Sequence, residues 1–249
     1  MKIIISGALG RMGRAVCRTA EANGIEIAAG VDLNAAFSDL SYPVYKDFAG
    51  VKESADVVID FSSPLNLDNL LAYTAKTGVP AVLCATGYTP EQLKRIDAAS
   101  ESSAIFRSAN MSVGVNLLID LCKKAAKTLP SFDVEIVEMH HNQKVDAPSG
   151  TALMLADAVK EVAPDKFYVY GREGKVGKRN EKEIGIHALR GGNVVGEHEV
   201  IFAGPNETVT LSHSAASREV FADGAVKAAM FMAGRKSGFY TMDDLIKEL

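Results

Sequence analysis

The chain has 249 residues, of which 47% are hydrophobic and 23% charged, and its formal net charge is −4. That length buries one large core or two of medium size. The charge offers nucleic acid and anionic membranes no attractive field, so an anionic ligand would have to be drawn in by a local basic pocket.

In chain order, the opening MKIIISGALG is apolar but is soon broken by glycines and then by Arg11 and Arg14, which does not match a secretory leader. Short apolar runs at residues 3–6, 25–32, 56–61, 81–85 and 104–107 predict strands. Amphipathic stretches at residues 11–22, 65–77 and 90–102 predict the helices between them. Thr89-Pro90-Glu91-Gln92 is a helix start, with a capping residue, proline at the first position and glutamine three residues on. Strands alternating with helices indicate an α/β, Rossmann-type doubly wound parallel sheet. Beyond about residue 110 the pattern changes. A long apolar helix is expected over 113–128, a strand over 133–139 and a helix near 151–162. A polar, glycine-rich loop at 171–183 carries Arg172, Lys175, Lys178, Arg179 and Lys182. It reads either as a solvated loop or as a lid over an anionic substrate. Three close-set alternating runs, near 184–190, 194–202 and 208–213, suggest a small antiparallel or mixed sheet. Helices near 218–233 and 242–249 close the chain. The expected division is a dinucleotide-binding domain, 1–110, and a smaller α+β domain, 111–216. No run approaches the roughly 18 apolar residues that a membrane helix requires. Cys17, Cys84 and Cys122 show no paired spacing, which fits a reducing compartment, so the expectation is a cytoplasmic chain without a membrane partner.

The first strand runs into Gly7-Ala8-Leu9-Gly10-Arg11-Met12-Gly13 and a helix. Glycines there permit a tight turn and close approach of backbone to a pyrophosphate, which the helix N-terminus attracts. Asp32 ends the second strand, 19 residues beyond Gly13, where a carboxylate can accept from the adenosine ribose hydroxyls. Asp32 would repel a 2′-phosphate and Leu33 follows it, whereas Arg11 and Arg14 would offset that repulsion. The reading leans to NADH over NADPH. Strand ends at Phe61-Ser62-Ser63-Pro64, Cys84-Ala85-Thr86-Gly87-Tyr88 and Ser108-Ala109-Asn110-Met111 are expected at the same crevice.

The densest chemistry is EMHHNQKVDAPSGT, residues 138–151. Histidine suits proton transfer near neutrality, and Lys144 adds a cation and a proton donor. Ser149-Gly150-Thr151 at a helix start presents N–H groups and hydroxyls to a carboxylate. Adjacent side chains on a strand point to opposite faces, so His140 and His141 share one task only if a turn intervenes. A metal site using either histidine with Glu138 or Asp146 is the alternative, but helical H-x-x-x-H spacing is absent and the cysteines are dispersed, so none is expected.

Together the segments GALGRMGR, ATGY, NMSVGVN, EMHHNQKVDAPSGTA and GEHEVIF resemble the 4-hydroxy-tetrahydrodipicolinate (dihydrodipicolinate) reductase family over essentially the whole chain. The resemblance implies reduction of a cyclic dicarboxylic imine by NADH or NADPH in lysine and diaminopimelate biosynthesis. It further implies a cofactor domain completed by residues 217–249, and a second domain that binds substrate and builds a homotetramer. By resemblance His140 is the acid/base, Lys144 the proton donor, and His141, Gly150 and Thr151 substrate ligands, with Ser149 beside them. Gly7, Ala8, Leu9, Gly10, Arg11, Met12, Asp32, Cys84, Ala85, Thr86, Ser108, Ala109, Asn110, Met111 and Arg218 fall on cofactor positions, Arg218 matching an arginine near the domain hinge. Family members often show Gly-Thr-Thr where this chain has Cys84-Ala85-Thr86, so that loop is expected to act through its backbone. Rival readings are a semialdehyde or amino-acid dehydrogenase, or a non-catalytic sensor of NADH. An acylating dehydrogenase would need a reactive cysteine.

Overall fold

A computed structural model describes residues 1–249. It divides into two compact units, Met1–Val113 with Glu219–Leu249, and Gly114–Arg218.

The first unit begins with β1 (Lys2–Ser6), α1 (Arg11–Ala22), β2 (Glu26–Val31) and β3 (Val44–Tyr45). It continues with β4 (Val57–Asp60), α2 (Leu67–Thr77), β5 (Ala81–Leu83), α3 (Pro90–Ser100) and β6 (Ala104–Arg107). The runs III, VVI and AVL are wholly buried because helices cover both faces of a parallel sheet. Helix α2 stops at Gly78, whose φ of +72° is the left-handed cap that a glycine adopts without strain. Helix α3 starts with the expected reciprocal box, Thr89 accepting from the Gln92 N–H and Gln92 from the Thr89 N–H.

The second unit takes α4 (Val113–Thr128), β7 (Asp133–His140), α5 (Gly150–Val162), β8 (Phe167–Tyr170), β9 (Glu183–Arg190), β10 (Gly196–Ala203) and β11 (Thr208–Ala215). The chain then returns to the first unit with α6 (Glu219–Met232), β12 (Gly238–Tyr240) and α7 (Met242–Glu248). The short strands β3, β8 and β12 lie outside the runs read as strands from the sequence. No helix is long and apolar enough to cross a membrane.

In the first unit the sheet order is β12-β6-β5-β4-β1-β2-β3, parallel throughout. The order reverses between β1 and β4, which makes a crevice at their carboxyl ends. The second sheet runs β11-β10-β7-β9-β8, with β7 parallel to β9 and antiparallel to β10, hence the mixed sheet expected. Strand β7 alternates in burial, and its inward Val134 and Ile136 meet Leu118 and Cys122 of α4 and Leu155 and Val159 of α5. Both helices therefore lie on one face of this sheet, and no helix covers the other.

Candidate functional site

Two constellations emerge, one in each unit. In the first unit Gly7 adopts φ +78°, and its N–H donates to the Val31 carbonyl at 2.8 Å. A side chain on Gly7 would stand 2.9 Å from the Phe61 backbone, and one on Gly13 only 2.1 Å from the Gly7 carbonyl oxygen. The turn thus packs the start of α1 against the β4 loop at the point where the strand order reverses. Gly10 caps α1 without a side-chain hydrogen bond, so no protein side chain takes the place of an anion there. Asp32 accepts from the N–H groups of Leu9 and Asn34, each at 3.0 Å, which fixes its carboxylate beside the turn. These features fit a dinucleotide: a cradle that only glycine permits, an uncapped helix start, and a fixed acid.

Arg14 stays beside the turn, its Nε donating to the Leu9 carbonyl at 3.4 Å. It donates to Asp39 at 2.6 Å, and the pairing holds the Asp39 carboxyl below its ordinary range. Arg11 is exposed and Leu33 is 81% exposed. The C-terminal strand ends contribute Cys84 and Ala85, both buried, and Ser108 to Met111, where the Ser108 hydroxyl donates to the Asn110 carbonyl. Burial pushes the Cys84 thiol well up, and Cys122 up to about 12, so neither is a thiolate nucleophile.

The second constellation grows from β7. Period-two alternation puts Glu138 and His140 on the same inward face, and both are buried. The His140 Nδ1 lies 2.6 Å from the Glu138 carboxylate. Arg190, the last residue of β9, grips the same carboxylate with two bonds of 2.8 Å, and the Ser149 N–H donates to it at 3.0 Å. Burial alone would raise the Glu138 carboxyl, but Arg190, His140 and the Ser149 N–H reverse that and bring it below its ordinary range. Glu138 is therefore an acceptor only, and the proton on His140 belongs to Nδ1, leaving Nε2 to face away from the acid.

His141 comes after the strand, and its N–H donates to the Val194 carbonyl at 2.7 Å. A turn follows in which the Lys144 N–H donates to the His141 carbonyl at 3.2 Å. The Lys144 ammonium binds both Asp146 oxygens, at 2.7 and 2.9 Å, and this bond holds the Asp146 carboxyl below its ordinary range. Ser149 caps α5 by accepting from the Ala152 N–H, and it lies 3.0 Å from the His198 Nε2. The His198 and His140 rings meet edge to face at 5.2 Å. Burial, then the nearby His140, pushes His198 down to about 4, so it is neutral near pH 7. Arg218 reaches His141 at 3.5 Å. No group of three or more His, Cys, Asp or Glu side chains is placed to hold a metal ion.

Known proteins bear on both constellations. Residues 1–111 match the family model described as dihydrodipicolinate reductase, N-terminus, and residues 114–246 match its C-terminus. The chain belongs to the dihydrodipicolinate reductase family. It is 56% identical to the 4-hydroxy-tetrahydrodipicolinate reductase of Caldanaerobacter subterraneus subsp. tengcongensis, across 100% of this chain and 99% of that one. The enzyme of the same name from Clostridium novyi is 49% identical over 99% of this chain and 98% of its own. A dipicolinate-bound dihydrodipicolinate reductase from Paenisporosarcina sp. TG-14 superimposes with a TM-score of 0.83 at 26% identity, covering 100% and 99% of the two chains. This family member is thus an oxidoreductase that uses a nicotinamide dinucleotide.

Within the reductase the structure gathers His140, His141, Lys144, Ser149, Gly150 and Thr151 at one end of β7 and the start of α5. Gly7 to Met12, Asp32, Cys84 to Thr86 and Ser108 to Met111 lie in the other unit. Sequence reasoning missed Arg190 and gave no role to His198, although it lies in the quoted GEHEVIF. Glu138 entered only as a candidate metal ligand, yet two-residue spacing from His140 on a strand already signalled a shared face. The basic loop is largely tied down. Arg172 and Arg179 bind Glu135, which burial would raise but these arginines and His187 bring down to about 2, and Lys182 pairs with Asp165.

Proposed function

We propose that the chain reduces 4-hydroxy-tetrahydrodipicolinate to tetrahydrodipicolinate in lysine and diaminopimelate biosynthesis. The observation that carries the reading is the buried Glu138–His140 pair set beside the cap of α5 and the Lys144 turn. That arrangement gives an anionic substrate a cation, a helix start and a proton donor within one short segment.

In this reading residues 1–110, completed by 217–249, hold the cofactor, and residues 111–216 hold the substrate. Gly7 to Met12, Asp32, Cys84 to Thr86 and Ser108 to Met111 bind the dinucleotide, which when bound supplies the hydride. The Gly150 and Thr151 N–H groups and the Thr151 hydroxyl take one substrate carboxylate at the start of α5, with His141 beside them. Lys144 exchanges its exposed partner Asp146 for the other carboxylate. His140, with Nδ1–H held by Glu138, presents Nε2 to the substrate or to a water; once Nε2 has also taken a proton from solvent, Glu138 stabilises the imidazolium, which delivers that proton and returns to the Nδ1–H tautomer. Positioning accounts for much of such catalysis, so these contacts matter as much as the proton itself. Arg218 orients His141.

NADH is favoured over NADPH. A 2′-phosphate would meet Asp32 and the apolar Leu33, while Arg14, a cation that could neutralise it, is paired with Asp39. The uncovered face of the second sheet supports a homotetramer, and the buried free thiols suit the cytoplasm. The test is a coupled assay in which the preceding synthase condenses pyruvate with aspartate semialdehyde and nicotinamide oxidation is followed with each cofactor. Oxidation that needs both proteins, faster with NADH, is the expected result. A protein that binds NADH but does not oxidise it with this substrate would overturn the reading.

A further inference from the structure

Glu138 is the one buried acid of the second unit and is wholly enclosed. Each of its carboxylate oxygens accepts two bonds. Oε2 takes the His140 Nδ1–H at 2.6 Å and Arg190 Nη1 at 2.8 Å. Oε1 takes Arg190 Nη2 at 2.8 Å and the Ser149 N–H at 3.0 Å. The network then extends outward. Arg190 Nη2 also donates to the Asp146 carbonyl at 2.8 Å, and the Asp146 side chain holds Lys144. Ser149 opens α5, whose first two residues are Gly150 and Thr151.

We infer that Glu138 is the positioning residue of this site. One buried carboxylate selects the tautomer of His140, pins the start of α5 and, through Arg190, holds the loop that carries Lys144. The inference deepens the functional reading above and rests on it for the roles of His140 and Lys144.

An ionised carboxylate with four donors has no capacity to donate, so its histidine partner must carry hydrogen on Nδ1. The Nε2 edge is thereby reserved for substrate. Gly196 on β10 leaves that edge clear, since a side chain there would press within 3.1 Å of Nε2. His198 closes the other side as a neutral ring, bonded to Ser149 and edge-on to His140. A carboxylate kept only as a structural anchor for Arg190 would not need the histidine bond. A carboxylate kept only for the histidine would not need the Ser149 N–H. The three residues that supply these four donors converge on one acid because the groups they carry must be fixed relative to one another.

The experiment uses the full-length protein labelled with ¹⁵N-histidine, with the His140 signal assigned by its loss in His140→Gln. In the wild type at pH 8, His140 is expected as the Nδ1–H tautomer, and an Nε2–H tautomer overturns the inference without any variant at Glu138. In Glu138→Gln that signature is expected to weaken or mix. Its kcat should fall roughly 10²- to 10⁴-fold, the range for losing a proton donor or its tautomer, while NADH affinity, set in the other unit, stays within twofold. Unchanged kcat overturns the inference, as does a lost kcat with the tautomer intact. Should Glu138→Gln fail to fold, Arg190→Lys keeps a cation on Glu138 but cannot span to the Asp146 carbonyl. It is expected to retain the His140 tautomer and to raise the KM for the imine severalfold. An unaltered KM would remove the link from Glu138 to the Lys144 loop. Failure of the underlying reading looks different, because His140→Gln and Lys144→Ala would then both turn over at the wild-type rate.

Discussion

Lys144 and Asp146 form an ion pair whose acid is largely exposed, at 61% of its side chain. Such pairs contribute about 0–1 kcal/mol to stability. In the proposed reaction the same ammonium would face a substrate carboxylate and a developing charge and be worth far more than that. Lys144→Ala is expected to lower kcat/KM at least 10²-fold, about 2.7 kcal/mol of transition-state stabilisation, with little change in thermal midpoint. Parallel kinetics and calorimetry check this, and wild-type turnover in a stable variant would remove Lys144 from the site. His198 makes the opposite kind of contribution. Its ordinary value of 6.5 drops to about 4 in the fold because it is buried, with the charge of His140 adding to that. Between those values the unfolded chain takes up a proton that the folded chain refuses. Stability is therefore unaffected by this group above pH 6.5, falls as the pH drops from 6.5 towards 4, and levels off below. His213, lowered by burial, acts in the same direction. At about 1.4 kcal/mol per unit, His198 alone accounts for a loss of about 3 kcal/mol. Urea unfolding from pH 8 to 4 should show that slope in the wild type and a shallower one in His198→Gln. A flat wild-type curve over this interval would disprove the assignment. Glu135, brought down to about 2, loses its contribution only below pH 4.5, so its effect is separable.

At the scale of elements, glycine shows how far sequence could be read. A glycine inside a helix ordinarily costs about 1 kcal/mol relative to alanine. Gly224 in the middle of α6 breaks that rule, because a Cβ there would lie 1.6 Å from the Met111 carbonyl oxygen. The helix needs the missing side chain to lie against the backbone of Met111 and Ser112 in the same unit. Gly224→Ala is expected to destabilise by about 3 kcal/mol or more through overpacking. Gly150→Ala, where a Cβ meets nothing within 4 Å, is expected to fold with at least wild-type stability. Thermal unfolding of both variants checks the pair, and equal midpoints would mean that α6 shifts freely. From sequence alone Gly224 was indistinguishable from any helical glycine, since its constraint comes from a carbonyl more than a hundred residues away. Features set locally were legible. The Thr89–Gln92 box, the glycine turn with Asp32, and Ser149 opening α5 all rest on neighbours within a few residues or on a strand-to-helix pattern. Features set by distant pairing were not. Arg190 meets Glu138 across the β7–β9 register, and His198 meets Ser149 from β10. Nor could the basic loop reveal that Arg172 and Arg179 would close on Glu135, because that acid lies on the outward face of β7.

For the whole molecule, the outward face of the second sheet carries no helix, and the basic loop reaches it only where Arg172 and Arg179 meet Glu135. Helices α4 and α5 share the inward face with Val134, Ile136, Val200 and Phe202. Alternation sends Val137 and Met139 of β7, Leu189 of β9 and Ile201 of β10 to the other side, and Leu189 is 49% exposed. Antiparallel and mixed sheets tolerate a wet face, but that face is normally polar. Here the register sets Met139 beside Leu189, and Ile201 beside Glu135. Exposed apolar side chains gathered on one open sheet face mark a surface suited to association with other copies of the chain. The homotetramer proposed above would bury it, with each sheet packing on another across a closed symmetry axis. Light scattering on the eluting wild type is expected to return four times the chain mass at micromolar concentration. Val137→Lys, which sets an ammonium in the middle of the face opposite Glu199, should fold because the isolated face is open and already carries charge. It should elute as a smaller species while binding NADH through the first unit as before. A monomeric wild type would reject the tetramer outright. A tetrameric Val137→Lys would place the contact on some other surface and leave this sheet face bare.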